Sequence, residues 1–298
     1  MTVRFRNYPA DTGYHEDYHA VCDFLHRTTC NEERVSLMDW VFWEWQAARG
    51  AYKADFLGKI GMWEYDGTLV AATPYEDHEN AVALCADREH RPLLSEMLEY
   101  VCAHMAHEGF VRLIIDDGDV ELEQLARQHG FLPTQSNEPI ARLDITNEST
   151  RYELPDGFRV TSFNVEFDVR RYNRVMWYGF NHGPEAPQED EEALRWRMNC
   201  VSSPNARRSL MTVTVAPNGD YASHCTMWYR GGDNAIVEPV ATHPDYRRMG
   251  LGRAAVLEAA RRCGELGAKR AFVGSSQPFY YGIGFYPMGR VTVWAKKA

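Results

Sequence analysis

Two glycines, Gly250 and Gly252, stand where an apolar run over 236–242 gives way to a helix-forming stretch over 252–266. A strand, a turn and glycines at the mouth of a helix suit a phosphate. The backbone is unobstructed, and the first helical turn offers unpaired N–H groups at the positive end of its dipole. Arg247, Arg248 and Arg253 add positive charge to the same stretch. Ala255 occupies the place of the third glycine in the dinucleotide fingerprint Gly-x-Gly-x-x-Gly, and no Gly-Lys-(Ser/Thr) of a P-loop is present. A Gly-x-Gly pair alone would equally describe a tight loop before a helix; the arginine context favours a phosphate.

Residues 237–254 resemble the acetyl-CoA signature of the GNAT superfamily, (Gln/Arg)-x-x-Gly-x-(Gly/Ala) directly after a strand, with Arg247, Gly250 and Gly252 in its fixed positions. The resemblance implies acetyl-CoA as cosubstrate, its pyrophosphate held by the backbone of Met249, Gly250, Leu251, Gly252 and Arg253. Val240, Ala241, Thr242, Arg247 and Arg248 complete the expected cofactor-binding stretch. A second match, over 279–285, fits the family's Tyr-x-x-x-Gly-Phe with Tyr280, Gly284 and Phe285. In that family the tyrosine protonates departing CoA, which makes Tyr280 the expected acid and Tyr281 its rival. A phenol of ordinary pKa near about 10 can donate to a thiolate whose conjugate acid lies near about 8.5. The structural alternative is that these rings only pack a helix on a sheet.

The expected reaction is acetyl transfer to a primary amine of a small acceptor by direct attack in a ternary complex. An amine of pKa near about 10 is protonated at neutral pH and must lose a proton before attack. Glu238, in the strand before the phosphate loop, is the expected base, as some family members place a Glu at this distance. Pro239 beside it suggests interrupted strand pairing; a salt-bridged surface glutamate is the competing role. His243, His224 and the run Trp177–His182 are candidates for the acceptor pocket, and the acidic run 189–192 could attract a cation or simply begin a helix. Cys225 lacks a His partner at a readable spacing for an acyl-enzyme. The alternative function is a noncatalytic acyl-CoA sensor, against which Tyr280 and Glu238 argue.

The elements that must position these residues follow one α+β plan twice. The first half reads as a strand over 4–8, helices over 14–26 and 33–49, and a hairpin turning at Asp66-Gly67. A strand over 81–86, a helix over 92–107 and a strand over 111–115 follow. The second half reads as a strand over 158–163, helices over 169–180 and 189–200, and strands over 209–216, 221–229 and 236–242. After these come the phosphate loop and its helix, a strand over 270–273, a short aromatic helix and a final strand over 290–295. The expected fold class is mixed α/β: two tandem GNAT-like domains, 1–145 and 158–298, each a central, mostly antiparallel sheet flanked by helices, with a turn-rich linker over 146–157. In the first half Arg91 and Leu93 stand where glycines would be, and Ala126 where the tyrosine would be. That half is expected to be a degenerate GNAT-like domain, and the whole chain is similar in plan to tandem-GNAT proteins such as mycothiol synthase.

The 298 residues carry 32 Lys+Arg against 42 Asp+Glu, a formal charge of −10, which disfavours nucleic acid and anionic membrane as partners. No leader-like stretch or apolar run of spanning length appears, so the default compartment is the cytoplasm. The seven cysteines form no Cys-x-x-Cys pair, and His104 and His107 have no third ligand nearby, so no metal is expected.

Overall fold

The computed structural model describes residues 2–33 and 38–298. The expected helix over 33–49 falls partly on 34–37, which lie outside the described residues; its described part begins at Trp40. In chain order the elements are β1 (Arg4–Asn7), α1 (Glu16–Thr29), α2 (Trp40–Ala48), α3 (Ala54–Leu57), β2 (Gly61–Tyr65), β3 (Thr68–Ala72), β4 (Tyr75–Glu76), β5 (Ala81–Ala83) and β6 (Cys85–Ala86). Then come α4 (Leu94–His104), β7 (Phe110–Asp116), α5 (Val120–Gln128), β8 (Leu132–Asp144), β9 (Arg159–Ser162), α6 (Val169–Gly179) and α7 (Glu191–Cys200). The chain ends with β10 (Met211–Val215), β11 (Tyr221–Trp228), β12 (Asn234–Thr242), α8 (Leu251–Glu265), β13 (Arg270–Gly274), α9 (Pro278–Gly282) and β14 (Tyr286–Lys297). Two compact units result: Met1–Ile140 with Met288–Ala298, and Ala141–Pro287.

In the first unit β1, β2, β3 and β6 form one antiparallel sheet. Asp66 (φ 52°) and Gly67 (φ 75°) turn the β2–β3 hairpin with both central residues left-handed, the twist that a two-residue hairpin requires. A second group runs β4, β5, β7 and β14, with β5 parallel to β7 and β14 antiparallel to it from Val291 opposite Asp116 to Lys297 opposite Phe110. Residues 88–93, where a phosphate loop would stand, form a 3₁₀ turn into α4. Arg91 there is held by Asp119 at 2.7 Å and Glu121 at 2.6 Å.

In the second unit β13, β12, β11, β10 and β9 are neighbours in that order, all antiparallel except β12 with β13. Strand alternation gives each face its own helix. On one face Cys225, Met227, Ala235 and Val237 pack under α8, whose buried alanines at 255, 259 and 260 let the helix settle close to the sheet. Thr212 Oγ1 donates to the Ala255 carbonyl at 2.7 Å and Ser223 Oγ to that of Leu251 at 2.9 Å, which fixes where α8 begins over the strands. On the other face Met211, Val213, Val215 and Phe163 pack against Tyr172, Val175 and Met176 of α6. Asp168 caps α6 by accepting from Arg170 N and Arg171 N, and Asp190 caps α7 by accepting from Ala193 N.

Candidate active site

Strand β12 changes character at Glu238. Cys225 of β11 faces Val240 and Met227 faces Val237, so β12 spends three steps where β11 spends two. This bulge holds the Glu238-Pro239 pair, and it reverses the alternation. Ala235 and Val237 face α8, Val240 packs on that same cluster, and Ala241 turns to the α6 side. Trp228 Nε1 donates to the Glu238 carbonyl at 2.5 Å, occupying an acceptor at the bulge. On its other edge β12 pairs with β13 only from Asn234 opposite Arg270 to Ile236 opposite Phe272. The ladder between the two parallel strands ends at Ile236, before the bulge.

The loop after β12 reverses sharply, with Arg248 (φ 64°) and Gly250 (φ 79°) both left-handed. Gly250 is the N-cap of α8, and an added Cβ there would meet nothing within 4 Å. Its glycine is therefore required by conformation. Gly252 is required by packing. A Cβ on it would lie 2.7 Å from Thr242 Oγ1 and 3.4 Å from the Phe279 ring, so its bare Cα lets the helix approach the strand end.

A cleft of about 710 Å³ opens at this helix start. Of the expected cofactor-binding residues, Val240, Thr242, Arg247, Arg248, Gly250, Leu251, Gly252 and Arg253 line it. Ala241 is buried toward α6 and Met249 is exposed; neither is among the lining residues. Arg247 is a brace: its Nη2 donates to the Gly179 carbonyl at 3.1 Å and Asn181 Oδ1 at 2.9 Å, and its Nε to the Thr242 carbonyl at 3.2 Å. It thereby ties the loop to the end of α6 and brings Gly179, Phe180 and Asn181 to the cleft wall. Sequence reasoning grouped these three with acceptor candidates and passed over Gln277 and Phe279. Phe279 lies inside the tyrosine motif; no signal pointed to Gln277.

Tyr280 of α9 lines the cleft while only 7% exposed; Tyr281, 37% exposed, does not line it. Burial first, then the nearby Cys225 and Glu238, push the Tyr280 phenol well above the usual tyrosine range. It stays protonated and available as a donor. Glu238 is partly buried on the bulge, outside the cleft lining, and its charge is felt by Tyr280, Cys225 and Tyr172. Burial raises the Cys225 thiol well above its ordinary value, which leaves it a poor nucleophile.

The histidine candidates separate. His224 is fully buried, stacked on Phe163 at 4.9 Å with Nε2 2.8 Å from Thr226 Oγ1, and burial lowers its pKa to about 3. It is a core residue. His243 accepts from Asp245 N at 3.3 Å and packs edge-on to Tyr178 at 4.8 Å, outside the cleft lining. Glu189 of the acidic run is held by Arg170 at 2.9 Å and Arg174 at 2.7 Å. Among the described residues no group of His, Cys, Asp and Glu could hold a metal ion, and no helix is long and apolar enough to cross a membrane.

The cleft thus brings together a helix N-terminus opening on a glycine turn, a bulged strand that parts from its parallel neighbour and a buried phenol. Residues 171–289 match the Acetyltransferase (GNAT) family, so the second half of the chain carries a GNAT acetyltransferase domain and the protein is an acyltransferase. No curated protein matches the chain. Among solved structures it is similar to a tandem GNAT protein from the clavulanic acid biosynthesis pathway (TM-score 0.60, 12% identity, 99% of this chain and 98% of that one). It is also similar to a GNAT-family acetyltransferase from Colwellia psychrerythraea (TM-score 0.59, 8% identity, all of both chains). A GCN5-related N-acetyltransferase from Sphaerobacter thermophilus aligns with a TM-score of 0.57 at 15% identity, over 99% of this chain and 95% of that one. These likenesses establish the fold.

Proposed function

We propose that the protein transfers an acetyl group from acetyl-CoA to a primary amine of a small acceptor by direct attack in a ternary complex. One observation carries this reading: the open start of α8 and the buried Tyr280 line the same cleft, beside the parted strands. The GNAT family uses acetyl-CoA as cosubstrate, and the residues fit it. The amides from Met249 to Arg253 receive the pyrophosphate, helped by the helix dipole and by Arg248 and Arg253. Val240, Ala241 and Thr242 offer backbone to the thioester arm along β12.

The acceptor ammonium gives up one proton to Glu238, directly or through water, and its nitrogen attacks the thioester carbonyl. The C–N bond forms, the C–S bond breaks, and the remaining proton lost by nitrogen passes to solvent while Tyr280 protonates the sulfur and is reprotonated. The first half, with Arg91 held by two carboxylates and no glycine turn, supplies no second cofactor site.

Calorimetry with CoA and a thiol-release assay over a panel of amines test the proposal. One CoA per chain is expected, with binding abolished by Gly250→Glu, which sets bulk and negative charge beside the pyrophosphate. Two equivalent sites, or unchanged affinity in the variant, would refute the assignment of the loop. Tight CoA binding without turnover on any amine would favour the noncatalytic sensor.

A further inference from the structure

Another cavity, of about 670 Å³, lies between α8 and the segment 147–153 that precedes β9. Arg253, the third residue of α8, lines both this cavity and the cleft at the helix start, so the two spaces share one wall residue. Arg261 lines the cavity eight residues further on, about 12 Å along the helix. The opposite wall is pinned in place. Ser149 Oγ donates to the Asp144 carbonyl and Thr150 Oγ1 to the Thr146 carbonyl, each at 2.7 Å. Tyr152 packs on the core beneath α8, and its hydroxyl donates to Glu258 Oε2 at 3.0 Å.

The charges that line this cavity do not cancel. Arg261 is committed to Glu258 and Glu265 of its own helix. Arg151 and Arg253 are not committed. Among the described residues neither has a carboxylate within ion-pair distance, and the hydrogen bond between them is a long one, 3.4 Å from Arg253 Nη2 to the Arg151 carbonyl. Glu153 is the lining carboxylate and opposes an anion, but two uncompensated guanidinium groups outweigh it. The wall is therefore cationic in a chain whose formal charge is −10. Arginine donors arranged as a fork suit a phosphate, which accepts two parallel N–H bonds from one guanidinium.

We infer that this cavity receives the phosphorylated ribose end of CoA, with Arg151 and Arg253 on its 3′-phosphate, so that the protein distinguishes CoA from dephospho-CoA. The inference rests on the acetyl-CoA reading above. In CoA the ribose that carries the 3′-phosphate is joined directly to the pyrophosphate. A pyrophosphate on the amides of 249–253 therefore sets that ribose beside Arg253, and the cavity beyond Arg253 is the space its phosphate enters. Arg253 faces both phosphate groups. Arg151 meets the 3′-phosphate alone, which makes it the residue that decides between the two ligands.

Calorimetry with CoA and dephospho-CoA, which differ by the 3′-phosphate alone, tests it on the wild type, Arg151→Gln and Arg151→Lys, at low and at high salt. The wild type is expected to bind CoA roughly 5- to 30-fold more tightly than dephospho-CoA at low salt, the size of charge-assisted hydrogen bonds at an exposed site. That ratio should narrow as salt screens the phosphate. Arg151→Gln should remove most of it by weakening CoA, while its affinity for dephospho-CoA stays that of the wild type, which also shows the folded site to be intact. Arg151→Lys should keep part of the ratio, because it retains the charge but not the fork. Equal wild-type affinities for the two ligands, or an Arg151→Gln variant that weakens both alike, would overturn the subsite and leave the acetyl-CoA reading standing. If neither ligand binds the wild type, the acetyl-CoA reading falls and the subsite falls with it.

Discussion

Gly252→Ala tests whether the start of α8 is set by contact with Thr242. The added Cβ would stand 2.7 Å from Thr242 Oγ1 and 3.4 Å from the Phe279 ring. The ring contact is ordinary, so the conflict lies with one hydroxyl on a β-branched, stiff side chain. Overpacking a tight contact costs about 1–3 kcal/mol, while Ala in place of Gly returns up to about 1 kcal/mol of helix propensity. A net loss of about 1–2 kcal/mol corresponds to a fall of roughly 2–8 °C in melting temperature for a unit of this size. The double variant Gly252→Ala/Thr242→Ala removes the obstructing atom and should recover most of that fall relative to Thr242→Ala alone, a coupling of about 1 kcal/mol or more. Melting followed by circular dichroism, with the four proteins of the cycle, measures it. CoA affinity should fall in the single variant because the first amides of α8 move with the helix. If Gly252→Ala melts with the wild type, or if the two substitutions are additive, Thr242 does not set the approach of α8 and the packing argument for Gly252 is wrong.

Tyr280→Phe should leave acetyl-CoA affinity nearly intact and lower kcat by at least about 100-fold when chemistry limits turnover, with Tyr281→Phe costing much less; stopped-flow single turnovers against steady-state rates separate chemistry from product release. Because the Tyr280 phenol is pushed above the usual tyrosine range, its ionisation should cause no loss of kcat up to pH about 10, and an alkaline limb below that pH which disappears in Tyr280→Phe would contradict the burial argument. Glu238→Gln should lower turnover most at neutral pH and recover partly as pH rises and the amine deprotonates unaided; a pH-independent loss returns Glu238 to a structural role. His224, buried and neutral with a pKa near about 3, favours folding fully above its unfolded pKa of about 6.5, and that contribution is lost as pH falls from there toward 3. Acid unfolding of His224→Phe should therefore depend less on pH across this window, and an unchanged slope would show that other groups control it.

Much of the second unit is legible in the residues themselves, because its signals are local. Gly250 and Gly252 mark the start of α8 because a left-handed turn and a close helix approach each exclude other side chains. Period-two runs mark β10 and β11, and Asp66-Gly67 marks the first hairpin. Pro239 signals interrupted pairing, since it has no N–H to give a ladder. The roles within those elements are decided by distant neighbours. The register of β12 on β11 sets which of Val240 and Ala241 faces α8, and a one-residue bulge inverts the answer. Phe163 and Tyr172 make His224 a core residue, and Gly179 with Asn181 turns Arg247 into a brace. β14 finds its antiparallel partner in β7, far back in the chain, a pairing that no local pattern encodes. No local pattern distinguishes Arg197 from Arg195; only the packing of α7 on α6 takes Arg197 out of water, and a charge gains meaning from what surrounds it.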